Sequence, residues 1–266
     1  MQATQDWVNR YDKMRAEIGR VVEANEVRGN GRGVRRRAWA FTTKRLAAIQ
    51  NRTSLEHTLE RTIVWLLRDQ VNGGAWFNQF NPASGAGGSG RENVDLLRWQ
   101  QAEDRAVAHF LELKEWNSPD TICRMVEELI RYAMLTTILH DLRVVPYNQW
   151  PLKLDVHLWC IAPHQFFAER GGIDTVNGEL SQLRDQWNLV IAQRPVLGRV
   201  TLEPRVISLS QDISRQSFCE CFDPVTLEDA IQNRRRLASP QCLLNEDNTA
   251  ALRNWITGAM QEGGLL

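Results

Sequence analysis

The chain has 266 residues, 43% hydrophobic and 24% charged, with a formal net charge of zero. This composition excludes a disordered or collagen-like chain and leaves one large globular domain or two smaller ones. Five cysteines without a framework spacing argue against a disulfide scaffold, and no run reaches the ~18–20 apolar residues of a membrane span.

In chain order, Trp7, Val8, Tyr11, Met14, Ile18, Val21 and Val22 recur at helical spacing, so residues 5–25 form an amphipathic helix. Gly29, Gly31 and Gly33 end it, and a second helix is expected over 34–50, with Trp39, Leu46 and Ile49 inward. Thr53-Ser54-Leu55-Glu56 fits a capping box for a third helix carrying Leu55, Leu59, Ile63, Leu66 and Leu67. Residues 71–91, rich in Gly, Asn and Ser, are read as a flexible loop. Helices are expected to resume over 92–114 and again after Ser118-Pro119-Asp120, with Ser118 as N-cap and Pro119 at the first helical position. The apolar series from Ile122 to Leu139 makes that second helix the centre of the core.

From about 141 the pattern changes. Leu142–Pro146 and Leu152–Leu158 alternate as short strands, and 174–193 is helical again. Residues 196–209 read as a hairpin around Glu203-Pro204. Asp223-Pro224 starts a helix that runs into Arg234-Arg235-Arg236, and Asp247 caps a last helix through Leu252, Trp255, Ile256 and Met260. The expected fold is mainly α, a multi-helix protein with a small β element in its C-terminal half. Residues 1–140 form a helical N-terminal domain and 141–266 a mainly helical C-terminal one.

One segment points to a partner. Between Glu26 and Glu56 there is no acidic residue, while Arg28, Arg32, Arg35, Arg36, Arg37, Lys44, Arg45 and Arg52 supply eight positive charges. In a neutral chain this is a local concentration, suited to the phosphates of RNA, DNA or an anionic membrane surface. The glycines lack the Gly-Lys-[Ser/Thr] of a phosphate-binding loop and the preceding strand of a dinucleotide fold. The chain also holds 28 arginines against 4 lysines, which a GC-rich coding sequence explains as well as function does.

Three further constellations enter. Arg52 and His57, five residues apart and flanked by helix, resemble the Arg-x4-His element of HEPN ribonucleases, helical dimers. The resemblance implies that these two residues would handle a scissile phosphate and its 2′-hydroxyl. His157, Cys160 and His164, with Cys219 and Cys221 downstream, supply five zinc-compatible ligands at spacings that match no regular finger, so no metal is expected. His109 and His140 are placed on helices as structural residues. Carboxylates are scattered with no evident pair for acid–base work, and no nucleophile motif is present.

The expectation is a non-enzymatic interaction or assembly protein, matrix-, capsid- or scaffold-like, of a virus or mobile element. It would hold phosphate-bearing partners through the Arg-rich surface, self-associate, and need no cofactor. A HEPN-like RNase and a protein-binding adaptor are the alternatives. With no signal-peptide pattern in its first residues, an intracellular site is expected: cytoplasm, or host cytoplasm or nucleus.

Overall fold

The computed structural model describes residues 2–27, 55–67, 74–80, 93–143, 149–221 and 246–266. Helices α1 (Gln2–Val27) and α2 (Leu55–Leu67) precede a meander of three strands: β1 (Ala75–Phe80), β2 (Val94–Gln101) and β3 (Arg105–Leu113). Helix α3 (Ile122–Asp141) leads to β4 (Lys153–Pro163). The short α4 (His164–Ala168), α5 (Gly172–Gln193) and a 3₁₀ turn (Pro195–Arg199) lead to β5 (Val200–Leu209). Helices α6 (Arg215–Glu220) and α7 (Glu246–Glu262) complete the described chain.

The five strands form one mixed sheet in sequence order. β1–β2 and β2–β3 are antiparallel, whereas β3–β4 and β4–β5 are parallel. Parallel neighbours need crossovers, and α3 and α4–α5 supply them. The sheet is covered on both sides. Apolar residues of α1, α3 and α5 pack on one face around Phe110, Val156 and Leu158. Those of α2, α6 and α7 pack on the other around Leu111, Trp159 and Ile207.

The fold is therefore α/β, and the mainly-α expectation is corrected. The error lies in residues 92–114, expected as helix, which form β2 and β3. Their partners explain it. Leu97 and Phe110 face one core while Leu96 and Leu111 face the other. A strand buried on both faces loses the alternation that marks a half-exposed one, and its apolar run reads as helix. His109 accordingly sits on β3, not on a helix. The first half of the expected 71–91 loop contributes β1.

Other boundaries shift for local reasons. Ser118 does not cap α3; its Oγ accepts from Asp120 N at 3.3 Å within the preceding turn. Thr121 is the N-cap, its Oγ1 accepting from Arg124 N at 3.2 Å. The expected hairpin at Glu203-Pro204 is instead one strand, β5, parallel to β4. Its register jumps from His157↔Thr201 to Trp159↔Arg205. Pro204, with no N–H to donate, lies in that irregularity. Leu142 and Arg143 close α3 in a turn and do not start a strand.

The helices expected at 5–25, after Ser54, at 174–193 and near the C-terminus are present as α1, α2, α5 and α7. The strand expected at 152–158 is β4, and α3 lies in the core, with Met125, Ala133, Met134, Ile138 and Leu139 fully buried, as its apolar series requires. The β3–β4 ladder joins residues on either side of position 141. The helix expected at 34–50, the glycine cluster, Val144–Pro146 and the Asp223–Arg236 segment lie outside the described residues. Among the described residues no helix is long and apolar enough to cross a membrane.

Candidate functional site

The sheet brings charged groups together where β2 begins and β3 ends. Parallel strands carry ligand sites at their carboxyl ends, where loops and helix starts converge. Here the end of β3 supplies Glu112-Leu113-Lys114, and the start of antiparallel β2 supplies Asp95 beside it. The first turn of α2 brings Glu56, and the start of α3 brings Asp120, Arg124 and Glu128.

Asp95 is 8% exposed and Glu112 3%. One Asp95 oxygen accepts from Leu113 N at 2.9 Å. Asp95 and Glu112 lie close enough to share a hydrogen bond once one of them carries the proton. No donor among the described residues reaches Glu112 Oε2. Two buried carboxylates placed together repel, so the arrangement calls for a proton or a cation between them. Burial raises both carboxyls above the usual carboxylate range, and for Glu112 the Asp95 charge adds to it.

Lys114, 4% exposed, is the cation nearest by. Its Nζ donates to Glu112 Oε1 at 2.7 Å, with Asp120 Oδ2 at 3.4 Å and Glu128 Oε2 at 3.7 Å. Burial alone would lower its pKa. The carboxylates of Glu112, Asp95 and Glu56 outweigh that and hold the ammonium above an ordinary lysine. Glu56, on the rim, is pushed up to about 7, chiefly by burial.

A polar relay backs the site. Glu60, one turn along α2 and fully buried, accepts from Asn78 Nδ2 and Gln79 Nε2, each at 2.9 Å. Gln79 in turn accepts from Asn93 Nδ2 at 3.1 Å, two residues before Asp95. Gln79 has φ +52°, a left-handed conformation that a non-glycine residue adopts only under constraint. Burial, with Asp95 adding to it, pushes Glu60 up to about 8. Arg170 fixes the turn on the other side. Its guanidinium donates to the carbonyls of Asp120, Ser118 and Phe166 and stacks on the Phe166 ring at 3.7 Å.

The residues singled out from sequence fall elsewhere. Arg28, Arg32, Arg35, Arg36, Arg37, Lys44, Arg45 and Arg52 lie outside the described residues, as do Arg234–Arg236. His57 is half-buried in the first turn of α2. The five zinc-compatible residues are not gathered: Cys160 belongs to the core on one face of the sheet and Cys221 to the core on the other. His164 Nδ1 lies 3.4 Å from Ser208 Oγ, and Cys219 is exposed on α6. His157 stacks on His109 at 5.1 Å. His109 accepts from Trp159 Nε1 at 3.1 Å, which leaves its Nε2–H to face Gln100 Oε1. Burial, with His157 and Arg98 adding to it, pushes His109 down to about 3, so it stays neutral.

Asp95, Glu112 and Lys114 do not stand out as a site in the sequence, because one helix over 92–114 scatters them around a cylinder. A signal is nonetheless present: charged residues seldom lie within apolar runs such as Val94–Leu97 and Phe110–Leu113 unless they are paired or functional.

Compared with protein-family models, with curated proteins and with solved structures, the chain matches none.

Proposed function

We propose that this chain is a divalent-cation-dependent phosphodiesterase acting on nucleic acid. The observation that carries the reading is the pair of buried carboxylates, Asp95 and Glu112, at the end of a parallel strand with Lys114 beside them. Carboxylates are hard oxygen ligands suited to Mg²⁺ or Mn²⁺. Among the described residues no three His, Cys, Asp or Glu side chains form a complete cage. Mg²⁺ does not need one: it keeps several waters and takes one or two carboxylates plus substrate phosphate.

The bound cation would supply charge stabilisation for the phosphoryl oxygens and a water of lowered pKa. Asp95 and Glu112 would hold it, and Leu113 N fixes the Asp95 oxygen that accepts from it. Lys114 places a protonated ammonium where negative charge grows on the phosphate. In the reaction a water oxygen bonds to phosphorus, the bond to one ester oxygen breaks, and that oxygen leaves with a proton.

The reading departs from the non-enzymatic expectation but retains its partner. The Arg-rich stretch 28–52 immediately precedes α2, which carries Glu56, and we assign it to holding nucleic-acid phosphates.

The test is incubation of the chain with single- and double-stranded DNA and RNA in Mg²⁺, Mn²⁺ or chelator. Cleavage that requires the cation and falls about 10³-fold or more in Asp95→Asn and Glu112→Gln is expected. Cation-independent cleavage abolished by His57→Ala would favour the HEPN-like alternative. Binding without cleavage would return the chain to the interaction-protein reading, and no binding at all to the adaptor.

A further inference from the structure

Strands β1 and β2 change phase in the row that holds Asp95. Phe77 and Leu97 pack into one core of the sheet, and Trp76 and Leu96 into the other, as strict alternation requires. Further along, alternation would send Phe80 and Val94 to the core of Trp76 and Leu96. Both lie in the opposite core instead, with the Phe80 ring 5.8 Å from the Phe110 ring. The ladder pairs Asn78 with Leu96 and Phe80 with Val94, and it steps over Gln79 and Asp95, which stand opposite each other between them. Gln79, at φ +52°, is where the phase shifts.

The same residue explains a second irregularity. Neighbouring residues of a strand point to opposite faces, yet Asn78 Nδ2 and Gln79 Nε2 both donate to Glu60, one to each carboxyl oxygen, at 2.9 Å. The left-handed turn at Gln79 swings its side chain round to α2. Its Oε1 accepts from Asn93 Nδ2 at 3.1 Å, which ties the entry of β2 to the same carboxyl. On the other side of β2 the effect reaches Asp95. The β2–β3 ladder ends at Leu96↔Leu111, and the next row sets Asp95 against Glu112. There the Asp95 side chain accepts the Leu113 N–H at 2.9 Å. Backbone N–H groups of a sheet lie in its plane. The Asp95 carboxylate therefore lies in that plane beside Glu112 and does not stand on a face.

We propose that Gln79 is a positioning residue for Asp95. Its left-handed conformation, held by Glu60 and Asn93, shifts the pleat of β2 and aims the Asp95 carboxylate at Leu113 N and at the cation position. That the aim serves a cation rests on the phosphodiesterase reading; the aim itself rests on the strand geometry. A left-handed residue other than glycine costs energy and persists only where its surroundings over-determine it, and such residues gather at functional sites. Here the surroundings are a fully buried carboxyl and two side-chain amides, and the residue across the ladder is the carboxylate of the site.

The test uses Gln79→Gly and Gln79→Asn in the full chain. Glycine takes a positive φ without strain but has no amide to fix it. Asparagine tolerates the left-handed region and is one methylene too short to span Glu60 and Asn93. Two readouts are followed: the Leu113 amide in amide-correlation NMR spectra, and Mn²⁺ affinity from the paramagnetic resonance of the ion. In both variants the Leu113 amide proton should move upfield, toward its position in Asp95→Asn, and should exchange with solvent about 10-fold faster or more. Mn²⁺ affinity should fall about 10- to 100-fold, the range for residues that orient metal ligands. Trp187→Phe cuts the bond from Trp187 Nε1 to the Val200 carbonyl, at the opposite end of the parallel strands. It should lower stability and move neither readout.

An unmoved Leu113 amide in the two Gln79 variants would overturn the proposal. So would wild-type Mn²⁺ affinity beside a displaced amide, since the aim of Asp95 would then not matter to the cation. A wild-type chain that takes up no Mn²⁺ would sink the phosphodiesterase reading instead, and the Leu113 amide would still decide whether Gln79 aims Asp95.

Discussion

Replacing Glu60 by glutamine should change how stability depends on pH. Glu60 is fully buried in α2, bonded to the amides of Asn78 and Gln79 on β1, with Asp95 of β2 facing it and Arg61 beside it. Burial raises its carboxyl from 4.5 to about 8. The sign follows from proton counts. Below 4.5 the group is protonated in both states; between 4.5 and about 8 only the folded chain keeps the proton. Stability must therefore fall as pH rises through that window.

Each pH unit within the window corresponds to about 1.4 kcal/mol, so the fully developed cost at alkaline pH is about 5 kcal/mol. The substituted glutamine does not titrate, and its amide still offers one acceptor and two donors to the two neighbouring amides. Urea unfolding of both chains at about pH 5.5, 6.5 and 7.5 isolates the effect, because Glu56 and the buried histidines contribute equally to each. Wild type should lose about 2.7 kcal/mol relative to Glu60→Gln across that range. A difference constant to within about 0.5 kcal/mol would refute the reasoning, since Glu60 would then ionise alike in folded and unfolded chains.

Other outcomes follow from the same cluster and its supports. Lys114→Met removes the cation that Glu112, Asp120 and Glu128 share, leaving Arg124 to Asp120 and Glu128 and no paired cation to the buried Glu112. It should cost about 3–5 kcal/mol, read from the denaturant midpoint. Arg170→Ala strips the donor from three carbonyls and should cost about 2–3 kcal/mol in the same assay. Phosphodiester cleavage should fall with it, because Asp120 loses its anchor. Gly74 has φ +86°, and a Cβ there would stand 2.3 Å from the Trp99 carbonyl oxygen. Gly74→Ala should lower stability by about 2 kcal/mol or more, read from the thermal midpoint, with the β1–β2 edge exchanging amide hydrogens first.

Sequence alone determined the elements whose pattern is local. Helices α1, α2, α3, α5 and α7 each carry one apolar stripe at helical spacing, and a helix closes its hydrogen bonds within itself. β4 was legible at its start because Leu154, Val156 and Leu158 alternate with half-buried or exposed neighbours. What only the tertiary structure decided is the sheet. Its hydrogen bonds join segments far apart in the chain, and β2 and β3, buried on both faces, carry no period of their own. The candidate site was lost with them. Asp95, Glu112 and Lys114 become neighbours only when Leu96 pairs with Leu111 and Leu97 with Phe110. A register across two strands is a long-range fact, and no window of sequence around any one of these residues contains it.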